Sequence, residues 1–282
     1  MILPVEDEFS DILSKAQKGQ GISTEVLAER CGVSESKIRD ARRGEFDEAA
    51  AKAIASELGL NVEAVLRIAK GDWRPADVGE FEGFALVCSA FYDWQVNAYV
   101  AWDTDSGRAV AVDAGTDAKP MIELLEGKGL ELDAIILTHA HRDHFEGVGA
   151  LRKRWPAARV FLSGKEDAIP YETEAIEEGF RFELGFLSIE GFDTPGHTGG
   201  GMTFLIRGLS RPVAVVGDAL FAGSMGGANV SYEAGLESVR RILSLSEETV
   251  LAPGHGPLTT VLEERAMNCF AASSLPWNSS ET

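Results

Sequence analysis

Three imidazoles and a carboxylate fall within one short stretch, Thr138-His139-Ala140-His141-Arg142-Asp143-His144. Imidazole nitrogen and carboxylate oxygen are good ligands for zinc and related divalent ions, and grouping them on one loop lowers the ordering cost of binding the ion. Two more histidines sit in glycine-bounded loops, His197 in Thr194-Pro195-Gly196-His197-Thr198 and His255 in Pro253-Gly254-His255-Gly256. Asp218 follows the apolar run 213–217 in the same manner. Every one of the five histidines is thereby used. Ordinary surface histidines would be scattered, so this pattern points to metal chemistry.

Such ligands need rigid supports. Apolar runs with strand character are expected at 84–91, 96–102, 109–112, 134–137, 160–162, 202–206, 213–216 and 250–252, each close to a candidate loop or a turn. Helical spacing fits 119–126, 147–154 and 232–243, so strands interleaved with helices predict a layered α/β domain. Before a boundary near residue 76 the chain reads differently. Residues 1–75 are polar and alanine-rich with apolar residues at helical spacing, and they predict a small all-α domain in front of a second domain at 76–282.

Within that first domain, the helices 24–31 and 35–43 are separated by Gly32-Val33-Ser34, where glycine ends one and serine caps the next. The segment from Leu27 to Leu60 resembles the helix-turn-helix domain of phage-repressor-type regulators. That resemblance implies DNA as a possible partner, through Lys37, Arg39, Arg42 and Arg43. Yet residues 1–74 hold 11 basic and 14 acidic side chains. The favoured use of this module is therefore dimerisation, giving a homodimer, or covering the mouth of the active site.

Composition bounds the rest. With 45 acidic against 26 basic residues the formal charge is −19, which repels phosphate backbones and anionic membranes and leaves a small molecule as the expected substrate. Cys31, Cys88 and Cys269 have no metal-like spacing, and the acidic start of the chain is unlike a signal peptide, so a cytoplasmic protein is expected. Trp73, Trp94, Trp102, Trp155 and Trp277 are expected in the core or an interface. The glycine-rich stretch 223–227 lacks the Lys and Ser/Thr of a phosphate loop and is expected near the metals.

The motif His139-x-His141-x-Asp143-His144, with Val112-Asp113-Ala114-Gly115 upstream, resembles the metallo-β-lactamase superfamily from about residue 85 to 270. The resemblance implies an αββα sandwich of two mixed sheets with the metals at one edge. It also implies two divalent ions, most simply zinc, with iron or manganese as alternatives. His139, His141 and His197 would hold the first ion, Asp143, His144 and His255 the second, and Asp218 would bridge them. A hydroxide shared by the two ions would be the nucleophile, with Asp143 orienting it as the catalytic carboxylate, and Asp113 would be supporting and not a ligand. The stretches 217–224 and 253–260 resemble the hydroxyacylglutathione hydrolase (glyoxalase II) and persulfide dioxygenase branch, so hydrolysis of a thioester or ester is the expected reaction. A lactonase, an enzyme with a single iron on His139, His197 and Asp218, and a DNA-binding regulator with a metal-binding sensor are the alternatives. Glu146-Gly147, Gly226-Gly227 and the short stretch after His255 depart from the glyoxalase II pattern and put glutathione in doubt as the substrate.

Overall fold

A computed structural model describes residues 3–271, so Trp277 lies outside the described residues. Five helices come first: α1 (Phe9–Gly19), α2 (Thr24–Cys31), α3 (Glu35–Ala41), α4 (Glu48–Glu57) and α5 (Val62–Ala69). Their boundaries follow the sequence punctuation. Ser23, Ser34, Asp47 and Asn61 each accept a hydrogen bond from a backbone N–H in the first turn of the helix they precede. Gly32 ends α2 at φ 65°, a conformation that costs other residues more. The second helix of the pair is shorter than expected, because Arg42 caps it.

The first sheet is built from β1 (Phe84–Phe91), β2 (Trp94–Trp102), β3 (Arg108–Val112), β4 (Glu131–Ile136), β5 (Arg159–Ser163) and β6 (Glu174–Ile176). These pair in chain order, antiparallel from β1 to β3 and parallel from β3 to β6. Helix α6 (Lys119–Lys128) crosses from β3 to β4, and α7 (Arg142–Phe145) and α8 (Val148–Arg154) cross from β4 to β5. The second sheet holds β7 (Arg181–Leu184), β8 (Leu187–Asp193), β9 (Met202–Arg207), β10 (Val213–Gly217), β11 (Val250–Pro253) and β12 (Thr259–Thr260). Helix α9 (Tyr232–Leu243) makes its one parallel crossover, from β10 to β11, and α10 (Val261–Met267) follows β12.

Alternation along the strands separates the layers. In β3, Val110 and Val112 face the inner core between the sheets, where Phe161, Phe204 and Val215 also lie, while Ala109 and Ala111 face α6 and α8. In β10, Val213 and Val215 point inward and Ala214 and Val216 outward. The fold is therefore an α/β sandwich of two mixed sheets with helices on both outer faces. Strands β6, β7, β8 and β12 were not anticipated. Two of them are only two or three residues long, and β7–β8 is a hairpin at the sheet edge whose solvent side carries Arg181, Glu183, Ser188 and Glu190.

The helical segment is not a separate body. Phe9, Ile12, Leu13, Leu27, Ile38, Ile54 and Trp73 belong to one buried cluster with Val216, Leu220, Met225, Val239 and Leu251. Trp73 and Ile68 press on Gly223, where a Cβ would come within 2.6 Å of the indole ring. Asn61 N–H donates to the Cys269 carbonyl at 2.9 Å. The boundary near residue 76 thus divides the chain by element type and not by core. Trp73, Trp102 and Trp155 are buried, while Trp94 is 62% exposed and of its two expected places is excluded from the core: it opens β2 just after the β1–β2 turn, where neither sheet covers it. Among the described residues no helix is long and apolar enough to cross a membrane.

One buried acid couples this packing to pH. Glu264 accepts hydrogen bonds from Thr259 Oγ1 (2.9 Å), Gly223 N–H (2.9 Å) and Asn268 Nδ2 (2.8 Å), yet burial pushes its pKa up to about 7. The folded state therefore holds the proton more tightly than the unfolded chain. This contribution is complete below the unfolded value near 4.5 and is lost as pH rises through about 7. The expected difference is about 3 kcal/mol. Denaturant midpoints across pH 4.5–7.5 should show it in the wild type and a flatter profile in Glu264→Gln; equal slopes would reject it.

Candidate metal centre

The seven candidate ligands come from loops and the short helix α7 at one edge of the sandwich. His139 and His141 follow β4, Asp143 and His144 lie in α7, His197 stands between β8 and β9, Asp218 follows β10, and His255 follows β11. Their ligand atoms form two groups, each within 4.8 Å: His139, His141, His197 and Asp218, then Asp143, His144 and His255. Asp218 faces both groups. Its Oδ2 lies 3.4 Å from His197 Nε2 and 3.6 Å from His255 Nε2, and its Oδ1 lies 3.5 Å from His144 Nε2. Gly254 has to be glycine here, since a Cβ would come 2.1 Å from Asp218 Oδ1 and 2.7 Å from the His144 ring.

The backs of the rings are anchored. His197 Nδ1 lies 2.8 Å from the Gly227 carbonyl and His255 Nδ1 2.8 Å from the Gln95 carbonyl. A carbonyl can only accept, so in both rings Nδ1 donates and Nε2 is turned into the site. Asp113 fixes two further rings. Its Oδ2 lies 2.8 Å from His144 Nδ1 and accepts from Thr138 Oγ1 at 2.8 Å, while Thr138 Oγ1 lies 3.0 Å from His139 Nδ1. Asp113 also accepts the Thr138 N–H at 2.8 Å, with all its contacts made in support of the site and none as part of either ligand group. It holds φ 61°, off the usual backbone range, at the turn after β3. His141 is the exception, presenting Nδ1 toward His197 Nε2 at 3.0 Å.

The charges at this edge fit a cation. Three buried atoms, His139 Nε2, His144 Nε2 and Asp218 Oδ1, have no hydrogen-bond partner. Such atoms are costly unless something else satisfies them, and donors of this type are those that bind divalent ions. Burial holds His139 far below the usual imidazole range, so it stays a neutral lone-pair donor. Burial opposes charge on His255 as well, but Asp218 and Asp143 outweigh it and push its pKa up to about 9. For Asp143, burial is outweighed by the His255 hydrogen bond and the neighbouring His144, leaving a carboxylate with a pKa of about 2. Without a metal ion, protons on imidazole balance the carboxylates; a dication would replace them.

Several supporting groups carry no sequence signal. Glu166 accepts from Ala140 N–H (2.9 Å) and Gly200 N–H (2.7 Å), stitching the motif loop to the His197 loop. Asn97 Nδ2 and Tyr99 Oη both donate to the Pro253 carbonyl, at 2.9 and 2.6 Å, and so place His255. Gly227, in the glycine-rich stretch, lies at the metal centre through its carbonyl.

A two-sheet sandwich with helices outside and a histidine–aspartate cluster at one edge defines a class of metal-binding folds. The profile of the metallo-β-lactamase superfamily matches residues 91–255, and this chain belongs to that superfamily. The hydroxyacylglutathione hydrolase of Prochlorococcus marinus (strain MIT 9312) is 31% identical over 162 residues, covering 57% of this chain and 65% of that protein. Hydroxyacylglutathione hydrolase GloC of Haemophilus influenzae is 28% identical over 205 residues, covering 64% of this chain and 94% of its own. Among solved structures, the BLEG-1 B3 metallo-β-lactamase superposes with a TM-score of 0.60 at 31% identity, covering 67% of this chain and all of that one. The TTHA1623 protein in a di-iron-bound form superposes at 0.55 with 29% identity, covering 64% and 98%. This chain spans 65% and 53% of the first two curated relatives' lengths.

Proposed function

We propose that this chain is a metallohydrolase that cleaves a thioester or ester. The observation that carries the reading is the convergence of two ligand groups on one carboxylate, Asp218, which reaches both. In this reading His139, His141 and His197 would hold one divalent ion, Asp143, His144 and His255 would hold a second, and Asp218 would serve both. When bound, the ions activate water near neutral pH and stabilise negative charge on the acyl oxygen. The chain's own groups do the rest. Asp143, ionised, accepts a hydrogen bond from the attacking water and orients it; Asp113, acting on His144 directly and on His139 through Thr138, keeps both rings preorganised. Zinc suits the donor set, and the di-iron form of a relative keeps iron open. The free thiols of Cys31, Cys88 and Cys269 support a reducing, cytoplasmic setting.

The pairing of the cations on and beside α3 argues for a role of the helical segment other than DNA contact. Lys37 pairs with Asp47 (2.6 Å), Arg39 with Glu35 (2.8 Å) and Arg43 with Asp40. Arg42 instead stands on the wall of the cavity that opens at the ligand cluster.

The test separates water from oxygen chemistry. Chelated protein restored with zinc or manganese is expected to cleave lactoyl thioesters without oxygen. Oxygen uptake with a persulfide under ferrous ion, alongside no anaerobic hydrolysis of thioesters or lactones under any metal, would overturn the reading.

A further inference from the structure

A cavity of about 1360 Å³ opens on His197, Asp218 and His255. Small-molecule pockets typically occupy roughly 300–1,000 Å³, so there is room well beyond an acyl group at the ligand cluster. One wall of it is helix α1. Asp11, Ser14, Lys15, Lys18 and Gly19 all line the cavity, and their spacing puts them on a single helical face. This wall lies outside the superfamily match, which begins at residue 91.

Lys15 is the inner cation of that face. Its Nζ donates to Asp7 Oδ2 (2.5 Å) and to the Met225 carbonyl (2.9 Å), leaving the third of its donors unassigned. It stands 5.1 Å from the Phe221 ring centroid, and that ring lies 5.8 Å from the ring of His255. Lys15 is therefore two ring contacts from the ligand cluster. Lys18 is one turn further out on the same face, exposed, and its side chain has no hydrogen bond or ion pair among the described residues.

The carboxylates around the cavity do not neutralise Lys18. Asp7 is held by Lys15 and Ser224, Asp11 accepts the Glu8 N–H, and Glu233 accepts from Ser231. Glu6 belongs to the inner end, within the electrostatic reach of His255 and Asp218, and Asp93 lies on the β1–β2 turn. Lys18 is thus the cation of this helical face that no carboxylate pairs with among the described residues, in a cavity whose walls also carry the carboxylates of Asp11, Asp93 and Glu233.

We propose that Lys15 and Lys18 form an anion subsite for the portion of the substrate beyond the scissile bond, a group bearing phosphate or carboxylate. Ammonium donors one helical turn apart suit either anion. The identity of the bond cleaved rests on the hydrolase reading, whereas the subsite itself is read by binding alone.

Three thiols with different charged groups decide it: coenzyme A with phosphates, glutathione with carboxylates and one ammonium, and uncharged N-acetylcysteamine. Calorimetric titration of the zinc-loaded full-length protein is expected to show at least one charged thiol binding about 10-fold or more tighter than N-acetylcysteamine, with the advantage shrinking as salt rises. Preference for coenzyme A assigns phosphate, and preference for glutathione assigns carboxylate. Lys18→Glu should erase the advantage and leave N-acetylcysteamine unaffected, while Lys18→Arg should keep most of it. Lys18 is exposed and unpartnered, so these variants should fold. Equal affinity for all three thiols, or a Lys18→Glu variant that keeps the full advantage, overturns the subsite. Neither result depends on turnover, so failed hydrolysis with intact charge-selective binding would reject the reaction and keep the subsite.

Discussion

Asp218→Ala is expected to leave at most one tightly held metal ion per chain and to lower turnover by more than about 100-fold, beyond the loss typical of supporting groups around a metal. The reason is geometric. Asp218 is the one carboxylate in the first ligand group, and its two oxygens also face His144 and His255 in the second. Removing it leaves the first ion on neutral imidazoles and takes away the group shared between the ions. Asp113 cannot substitute, because its oxygens are engaged with His144 and Thr138 on the far side of the rings. Elemental analysis after gel filtration reads the result directly. Two tightly held ions in the variant would remove Asp218 from the bridging position.

Deleting residues 1–74 is expected to be the more damaging change, abolishing a cooperatively folded, metal-retaining product. The absence of any candidate ligand before residue 76 leads to a different expectation, a second domain that stands alone. The shared core replaces it. Deletion strips cover from Val216, Leu220, Met225, Tyr232 and Leu251, and it removes the Asp7 carboxylate from Ser224 and the Lys15 ammonium from the Met225 carbonyl. Each large apolar side chain returned to water costs about 1.5–3 kcal/mol, so a handful rivals the whole stability of a domain, about 5–15 kcal/mol. The loop 221–227 is unclamped at the same time, and it supplies both the Phe221 ring against His255 and the Gly227 carbonyl that anchors His197. Near-UV circular dichroism, gel filtration and metal content of the truncated protein check this. A monomer with a cooperative melt and two ions would show that the sandwich needs no helical cover.

Asp218 and the helical wall mark the two sides of what could be read from the chain itself. The motif from His139 to His144 was legible because its meaning is local: a short loop at the end of an apolar run carries ligand types whatever surrounds it. The same holds for His197, Asp218 and His255, each betrayed by a strand before it and glycine beside it, and for Ser23, Gly32 and Ser34, whose capping chemistry acts within one helical turn. A supporting role for Asp113 also followed from its place at a strand-end turn. Which rings it holds did not, because Thr138 and His144 reach it only when β3 and β4 lie side by side.

The tertiary structure alone decided matters that depend on pairing between distant segments. Apolar alternation says that a strand has two faces, but it does not say that the outer face of β10 joins one buried cluster with residues of the N-terminal helices as well as of α9. For that reason the helical segment reads as a separate domain in sequence, while in space it shares a buried cluster with the sandwich. Glu166, Asn97 and Tyr99 gave no signal because a single buried polar residue carries no pattern; its use is set by whichever backbone groups the fold leaves unpaired beside it. Lys15 and Lys18 belong to no motif in the sequence. Only the docking of α1 beside the candidate metal centre places their helical face on a cavity whose other walls include Trp94 and Gln95 of β2 and the loops that carry His197, Asp218 and His255.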